Sequence, residues 1–149
     1  MIQTRVLLVD DEAAFLEPMT KRLTRRGLSV ENALSGNQCL DFLAQRGDQA
    51  TDVVILDVKM PGMDGIETLR ALKRDHPLIE VVLLTAHGTV ESAIEGMKWG
   101  AFDYLMKPCD IEELVDKVEE ACRKKRNHER KILEAKATAA AIKGSDRQA

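Results

Sequence analysis

Two apolar runs in this chain end on acid. Residues 5–12 read RVLLVDDE, where Val6 to Val9 stop directly on Asp10 and Asp11. Residues 52–65 read DVVILDVKMPGMDG, where Val53 to Leu56 stop on Asp57. Unbroken apolar runs of this length suit strands covered on both faces, and such strands belong to parallel sheets flanked by helices. The rest of the sequence keeps the alternation that a parallel sheet requires. Strands are predicted at 6–9, 28–33, 53–56, 81–84 and 104–106, and helices at 13–26, 36–45, 65–74, 90–99 and from 111 onward. Ser35, Thr89 and Asp110 have the chemistry of helix N-caps, with Glu113 three residues after Asp110, and Gly27 follows Arg25 and Arg26 as a helix stop. Pro18 falls within the first helix and predicts a late start or a kink.

An open sheet of this kind holds its site in the crevice at the carboxyl ends of its strands. Asp10, Asp11 and Asp57 all follow strand ends, as do Thr85 after VVLL and Lys107 after YLM, so the five are expected to converge. Carboxylates about 4 Å apart repel by about 4 kcal/mol per pair at an effective dielectric near 20. Such a cluster either takes up a proton or holds a cation, and an all-oxygen site with room for water suits Mg²⁺, which favours phosphate as a further ligand. Asp57 then has the makings of a nucleophile toward a phosphoryl donor, with Lys107 supplying positive charge and Thr85 a hydroxyl.

VLLVDDE, VVILDVKMPGMDG, VVLLTAHG and GAFDYLMKP, in this order, resemble the receiver domain of two-component response regulators. The receivers of enhancer-binding AAA+ activators are the most similar in style. The resemblance implies an α/β, flavodoxin-like doubly wound (βα)5 fold with a five-stranded parallel sheet. It implies that Asp57 accepts a phosphoryl group from a sensor histidine kinase or phosphotransfer protein. Asp10 and Asp11 would then organise Mg²⁺ with Asp57 and the Lys59 carbonyl, while Thr85 and Lys107 bind the phosphoryl oxygens. Tyr104 would turn inward as Thr85 moves, and the Lys107–Pro108 bond would be cis. On the residues alone, a sheet residue with its hydroxyl in water is the lesser alternative for Tyr104.

The enzyme reading nearest to this one is a Mg²⁺-dependent phosphatase of haloacid-dehalogenase type, which also forms an aspartyl phosphate. It needs a second aspartate two residues after the first, where this chain has Lys59. A flavodoxin would cradle phosphate where this chain has Asp10, Asp11 and Glu12, and the nucleotide-binding glycine fingerprints are missing. The expectation is a phosphoacceptor switch that catalyses only its own phosphorylation and dephosphorylation.

Cys39, Cys109 and Cys122 are widely spaced, and neither they nor His76, His87 and His128 have metal-ligand spacing. With no membrane-length apolar stretch and no signal sequence, a cytoplasmic location is expected and no membrane partner. Residues 1–122 carry 13 Lys/Arg against 22 Asp/Glu, whereas 123–149 carry 9 against 3. The division is therefore a receiver domain at 1–122 and a basic helical tail or linker at 123–149. The tail predicts a continuous helix from 111 to about 137, with Ile132, Ala135, Ala139 and Ile142 on one seam that Lys125 and His128 interrupt. A solvated helix, pairing into a homodimer and contact with nucleic acid remain open there, although no reading motif for nucleic acid accompanies the charge. Output would pass through contacts with a downstream effector domain or protein.

Overall fold

The computed structural model describes residues 2–148, with side chains to 144. Five strands form one sheet: β1 (Arg5–Val9), β2 (Ser29–Ala33), β3 (Val53–Leu56), β4 (Glu80–Thr85) and β5 (Asp103–Met106). All are parallel, in the order β2-β1-β3-β4-β5. Between them run α1 (Ala13–Arg25), α2 (Gly36–Arg46), α3 (Gly65–Asp75) and α4 (Val90–Lys98), and α5 (Ile111–Gln148) follows β5. The sequence pattern missed a short 3-10 turn, Asp48–Ala50, before β3, and it ended the last helix near 137, whereas α5 continues to Gln148.

Side chains alternate across the central strands. Val6, Leu8, Val53, Ile55, Val82 and Leu84 meet α1 and α5 on one face. Leu7, Val9, Val54, Leu56, Val81 and Leu83 meet α2 and α3 on the other. Burial on both faces explains the unbroken apolar runs. β2 and β5 lie at the edges and contain exposed or half-exposed residues, which is why their sequence signals were weak.

Helix ends follow local chemistry. Ser35 accepts the Gln38 N–H at 3.1 Å, Asp64 accepts that of Glu67 at 2.9 Å, and Thr89 and Ser92 cap each other reciprocally. Asp110 accepts the Glu112 N–H at 3.1 Å. Gly27 closes α1 at φ 89°, with the Leu28 N–H returning to the Leu23 carbonyl. Helix α1 begins at Ala13 and runs through Pro18, so the expected late start does not occur. Pro18 and Ala14, whose carbonyl loses its usual donor, are both exposed, and water can serve that carbonyl. Trp99, the residue after α4, lies at the surface. It is 38% exposed and stacks under the Arg70 guanidinium of α3 at 4.2 Å.

Helix α5 buries Ile111, Leu114, Val118, Ala121 and Cys122 along one stripe. Lys125, the next position on that stripe, is 1% exposed and donates to Asp52 at 3.1 Å. Packing therefore continues past Cys122, through a lysine that the sequence placed as an interruption of the apolar seam. Arg5 and Arg126 also reach Asp52, at 3.0 and 3.4 Å. From Arg130 to Gly144 every residue is exposed. Among the described residues no helix is long and apolar enough to cross a membrane.

Candidate functional site

Strand register brings the carboxylates together. Val9 pairs with Ala33 on one side and Leu56 on the other, so the next residues of β1 and β3, Asp10 and Asp57, emerge side by side. The Asp10 N–H extends the ladder to the Ala33 carbonyl at 3.1 Å, and that of Asp57 to the Val9 carbonyl at 3.0 Å. The chain winds outward from β1 in both directions, and the crevice opens where that winding reverses, between β1 and β3. Thr85 ends β4 opposite Met106, and the Lys107 N–H bonds its carbonyl at 2.9 Å. The β5 exit thus faces the same crevice.

Asp10, Asp11 and Asp57 each offer a carboxylate oxygen within 4.8 Å of the others. Asp10 and Asp57 are buried and Asp11 is exposed. Asp10 Oδ1 accepts the Glu12 N–H at 2.9 Å, and its Oδ2 accepts from the Lys107 ammonium at 2.5 Å. Asp57 Oδ1 is buried without a partner. Burial raises the Asp57 carboxyl above its ordinary range and the Asp10 charge adds to this, against the Thr85 hydroxyl, the Lys107 ammonium and the Val58 N–H. A buried acceptor with no donor, among two further carboxylates, is the donor set of a hard divalent cation, and Mg²⁺ fits it.

The raised carboxyl makes a prediction for stability. The folded chain binds the Asp57 proton more tightly than the unfolded chain, so ionisation costs stability as pH rises above the ordinary carboxylate range. Asp57→Asn should therefore be more stable than wild type at pH 7. The difference should shrink in acid as Asp57 protonates. Urea unfolding at pH 7 and pH 4 without metal reads both.

An open cleft of about 540 Å³ begins at Asp11 and Asp57 and is bordered by Lys59, His87, Ser92 and Glu95. Lys59 lies on this rim with its side chain exposed. The Thr85 hydroxyl oxygen accepts the His87 N–H at 3.1 Å. Tyr104 is half-buried, and its hydroxyl lies 2.8 Å from the Ser92 Oγ of α4. A Cβ at Gly88 would overlap both the Tyr104 hydroxyl and the Met106 sulfur. The Lys107–Pro108 bond is cis.

A family model for the response regulator receiver domain matches residues 6–119. The chain belongs to this family. Among curated receiver-containing proteins, it is 40% identical over 114 residues to the DNA-binding transcriptional regulator NtrC of Klebsiella pneumoniae, spanning 76% of this chain and 24% of that protein. It is 40% identical over 116 residues to the transcriptional regulatory protein ZraR of Salmonella typhimurium, spanning 78% and 26%. The receiver thus covers about a quarter of the length of these relatives. A receiver domain protein from Clostridium thermocellum superposes with a TM-score of 0.78 at 35% identity, covering 83% of this chain and 97% of that one. The receiver domain of NtrX from Brucella abortus gives 0.72 at 29%, covering 79% and 98%. The fold is accordingly the flavodoxin-like receiver fold, and the domain is a signalling switch. Nothing in the match favours the phosphatase alternative, and Val58, between Asp57 and Lys59, is buried in the core.

Three contacts at the site had no clear signal in the sequence. Ser92 looks like an ordinary capping residue, and its bond to Tyr104 joins positions that only the fold brings close. Phe15 places its ring 3.7 Å from the Lys107 ammonium. Gly65 starts α3 directly against the Asp57 backbone, its N–H bonding the Val58 carbonyl at 2.7 Å.

Proposed function

We propose that this receiver takes a phosphoryl group onto Asp57 from a sensor histidine kinase or phosphotransfer protein, in a Mg²⁺-dependent reaction. The observation that carries the proposal is the unpartnered, buried Asp57 Oδ1 at the mouth of an open cleft, beside two carboxylates and a lysine. Asp57 oxygen attacks phosphorus, and the bond from phosphorus to the donor's leaving group breaks. Lys107 and Thr85 face the transferring oxygens and offset their charge. Asp10, Asp11, Asp57 and the Lys59 carbonyl would hold Mg²⁺, which supplies positive charge shared between carboxylates and phosphoryl oxygens. Two positions after Asp57 stands Lys59 and not the second aspartate that a phosphatase of haloacid-dehalogenase type needs, which supports a switch over action on a separate substrate.

A phosphoryl group adds roughly −1.5 to −2 charge, which biases Thr85 toward it and releases the hydroxyl's hold on the His87 N–H. Tyr104 then exchanges its Ser92 bond for an inward position, changing the face where Val90, Ile94 and Met106 are exposed. That face and the exposed tail of α5 would engage an effector domain or a second copy of the chain as a homodimer. We divide the chain into the receiver at 1–122 and a helical linker at 123–149, anchored through Lys125. The compartment that goes with this reading is the cytoplasm. Direct contact with nucleic acid is not part of it.

Incubation with acetyl phosphate and Mg²⁺ should add one acid-labile phosphoryl group by mass spectrometry, and none to Asp57→Asn. Equal labelling of the variant would refute Asp57 as acceptor. Beryllofluoride should also shift amide resonances on α4 and β5 as well as beside Asp57. Shifts confined to the neighbourhood of Asp57 would count against the switch.

A further inference from the structure

The Lys107 ammonium has neighbours of two kinds. Asp10 Oδ2 accepts from it at 2.5 Å, and the Phe15 ring centroid lies 3.7 Å away. An ammonium has donors only, and the face of an aromatic ring carries partial negative charge, so the ring can stand where water otherwise would. Only 15% of the lysine side chain is exposed.

The placement follows from the turn that presents the acids. Phe15 is the third residue of α1, and its N–H bonds the Glu12 carbonyl at 2.9 Å. One tight turn therefore delivers Asp10, Asp11 and the ring together. Phe15 and Met19 share a face of α1 and, with Leu84 and Pro108, border a largely apolar cavity of about 340 Å³ that Lys107 also touches. That cavity is space into which an unheld lysine stem could swing. The ring occupies its edge beneath the ammonium.

We infer that Phe15 is a positioning residue for phosphoryl acceptance: it holds the Lys107 ammonium at the acidic crevice, so that its charge already stands where phosphoryl oxygens arrive. The inference rests on the reading of Asp57 as acceptor. A charge fixed before reaction needs no reorganisation during it, whereas a lysine free to enter the cavity must first be recovered. The ring also attracts the ammonium without taking up one of its N–H donors in a conventional hydrogen bond. Two of the three donors thus stay available once Asp10 has taken one.

The test compares Phe15→Leu, which keeps apolar bulk but removes the ring face, with Phe15→Tyr, which keeps it. Beryllofluoride binding in Mg²⁺, followed by NMR titration, should weaken about three- to tenfold in Phe15→Leu and stay within about twofold in Phe15→Tyr. The ring should shift the Lys107 ε-methylene protons upfield in wild type and Phe15→Tyr, and this shift should vanish in Phe15→Leu. Thermal unfolding of each variant separates lost packing from lost positioning. Wild-type affinity in Phe15→Leu, or equal loss in both variants, would overturn the inference. Failure of the wild-type chain itself to bind beryllofluoride would overturn the acceptor reading and this inference with it. A persisting upfield shift at Lys107 would then trace that failure to the acceptor reading and not to the contact.

Discussion

Asp52→Ala is expected to cost about 3–5 kcal/mol of folding stability, although Asp52 lies at the opposite end of the sheet from the acidic crevice. Asp52 immediately precedes β3 and is fully buried, yet it serves three cations. Arg5 reaches it with Nε, Nη2 and its backbone N–H, at 3.2, 3.0 and 2.9 Å, and Lys125 donates at 3.1 Å. Burial alone would raise the Asp52 carboxyl, but the Arg5 hydrogen bonds and then Lys125 outweigh it and bring the carboxyl down to about 2. Removing the carboxylate strands the buried Lys125 ammonium with Glu129 alone, at 3.4 Å, and that orphaned charge is the source of the cost. Lys125→Met should be far milder, within about 2 kcal/mol, because Asp52 keeps Arg5 and the methionine packs in the same slot. Urea unfolding of both variants measures the asymmetry. The sign of the pH dependence also follows. Asp52 has a lowered carboxyl, so its contribution is fully present above the ordinary value of 3.8 and is lost as pH falls toward about 2. Wild type should lose roughly 2 kcal/mol more than Asp52→Ala over that acid window.

Gly65→Ala should damage stability and phosphoryl acceptance together. A Cβ at Gly65 would overlap the Asp57 carbonyl oxygen and approach the Val58 Cα at 2.6 Å. Both are backbone atoms of the segment that carries Asp57 and cannot move aside as a side chain would. The expected loss is about 2–4 kcal/mol, with acetyl phosphate labelling slowed at least tenfold because Asp57 shifts against Asp10 and Lys107. Gly144→Ala is the matched control. It meets nothing within 4 Å on the exposed part of α5, so it should leave labelling unchanged and favour the helix slightly. Wild-type labelling in Gly65→Ala would show that the crevice tolerates a displacement of α3.

The sequence carried the site further than it carried the packing around it. Asp10, Asp57, Thr85 and Lys107 were legible because each follows an apolar run, and a parallel sheet brings all strand ends to one edge. Gly65 stood out only as the start of a predicted helix, since closeness to the Asp57 backbone is a distance between segments that no local pattern encodes. Lys125 was misread for a different reason. A lysine on an apolar stripe normally marks where burial ends, and only the position of Asp52 across the sheet reverses that inference. Trp99 illustrates the limit for large side chains, because apolar bulk predicts burial while the ring here lies at the surface beneath Arg70.

The clamp at Asp52 also sets a mechanical ratio. Helix α5 is continuous from Ile111 to Gln148, and among the described residues its last ion pairs with the rest of the domain are those of Lys125 and Arg126 with Asp52. At 1.5 Å per residue, about 33 Å of helix extends beyond this fulcrum. A tilt of about 5° there displaces the far end by about 3 Å on that same rise. A tilt too slight to disturb the core would thereby become a displacement comparable to a hydrogen bond's length at the far end, with the buried ion pairs at its pivot.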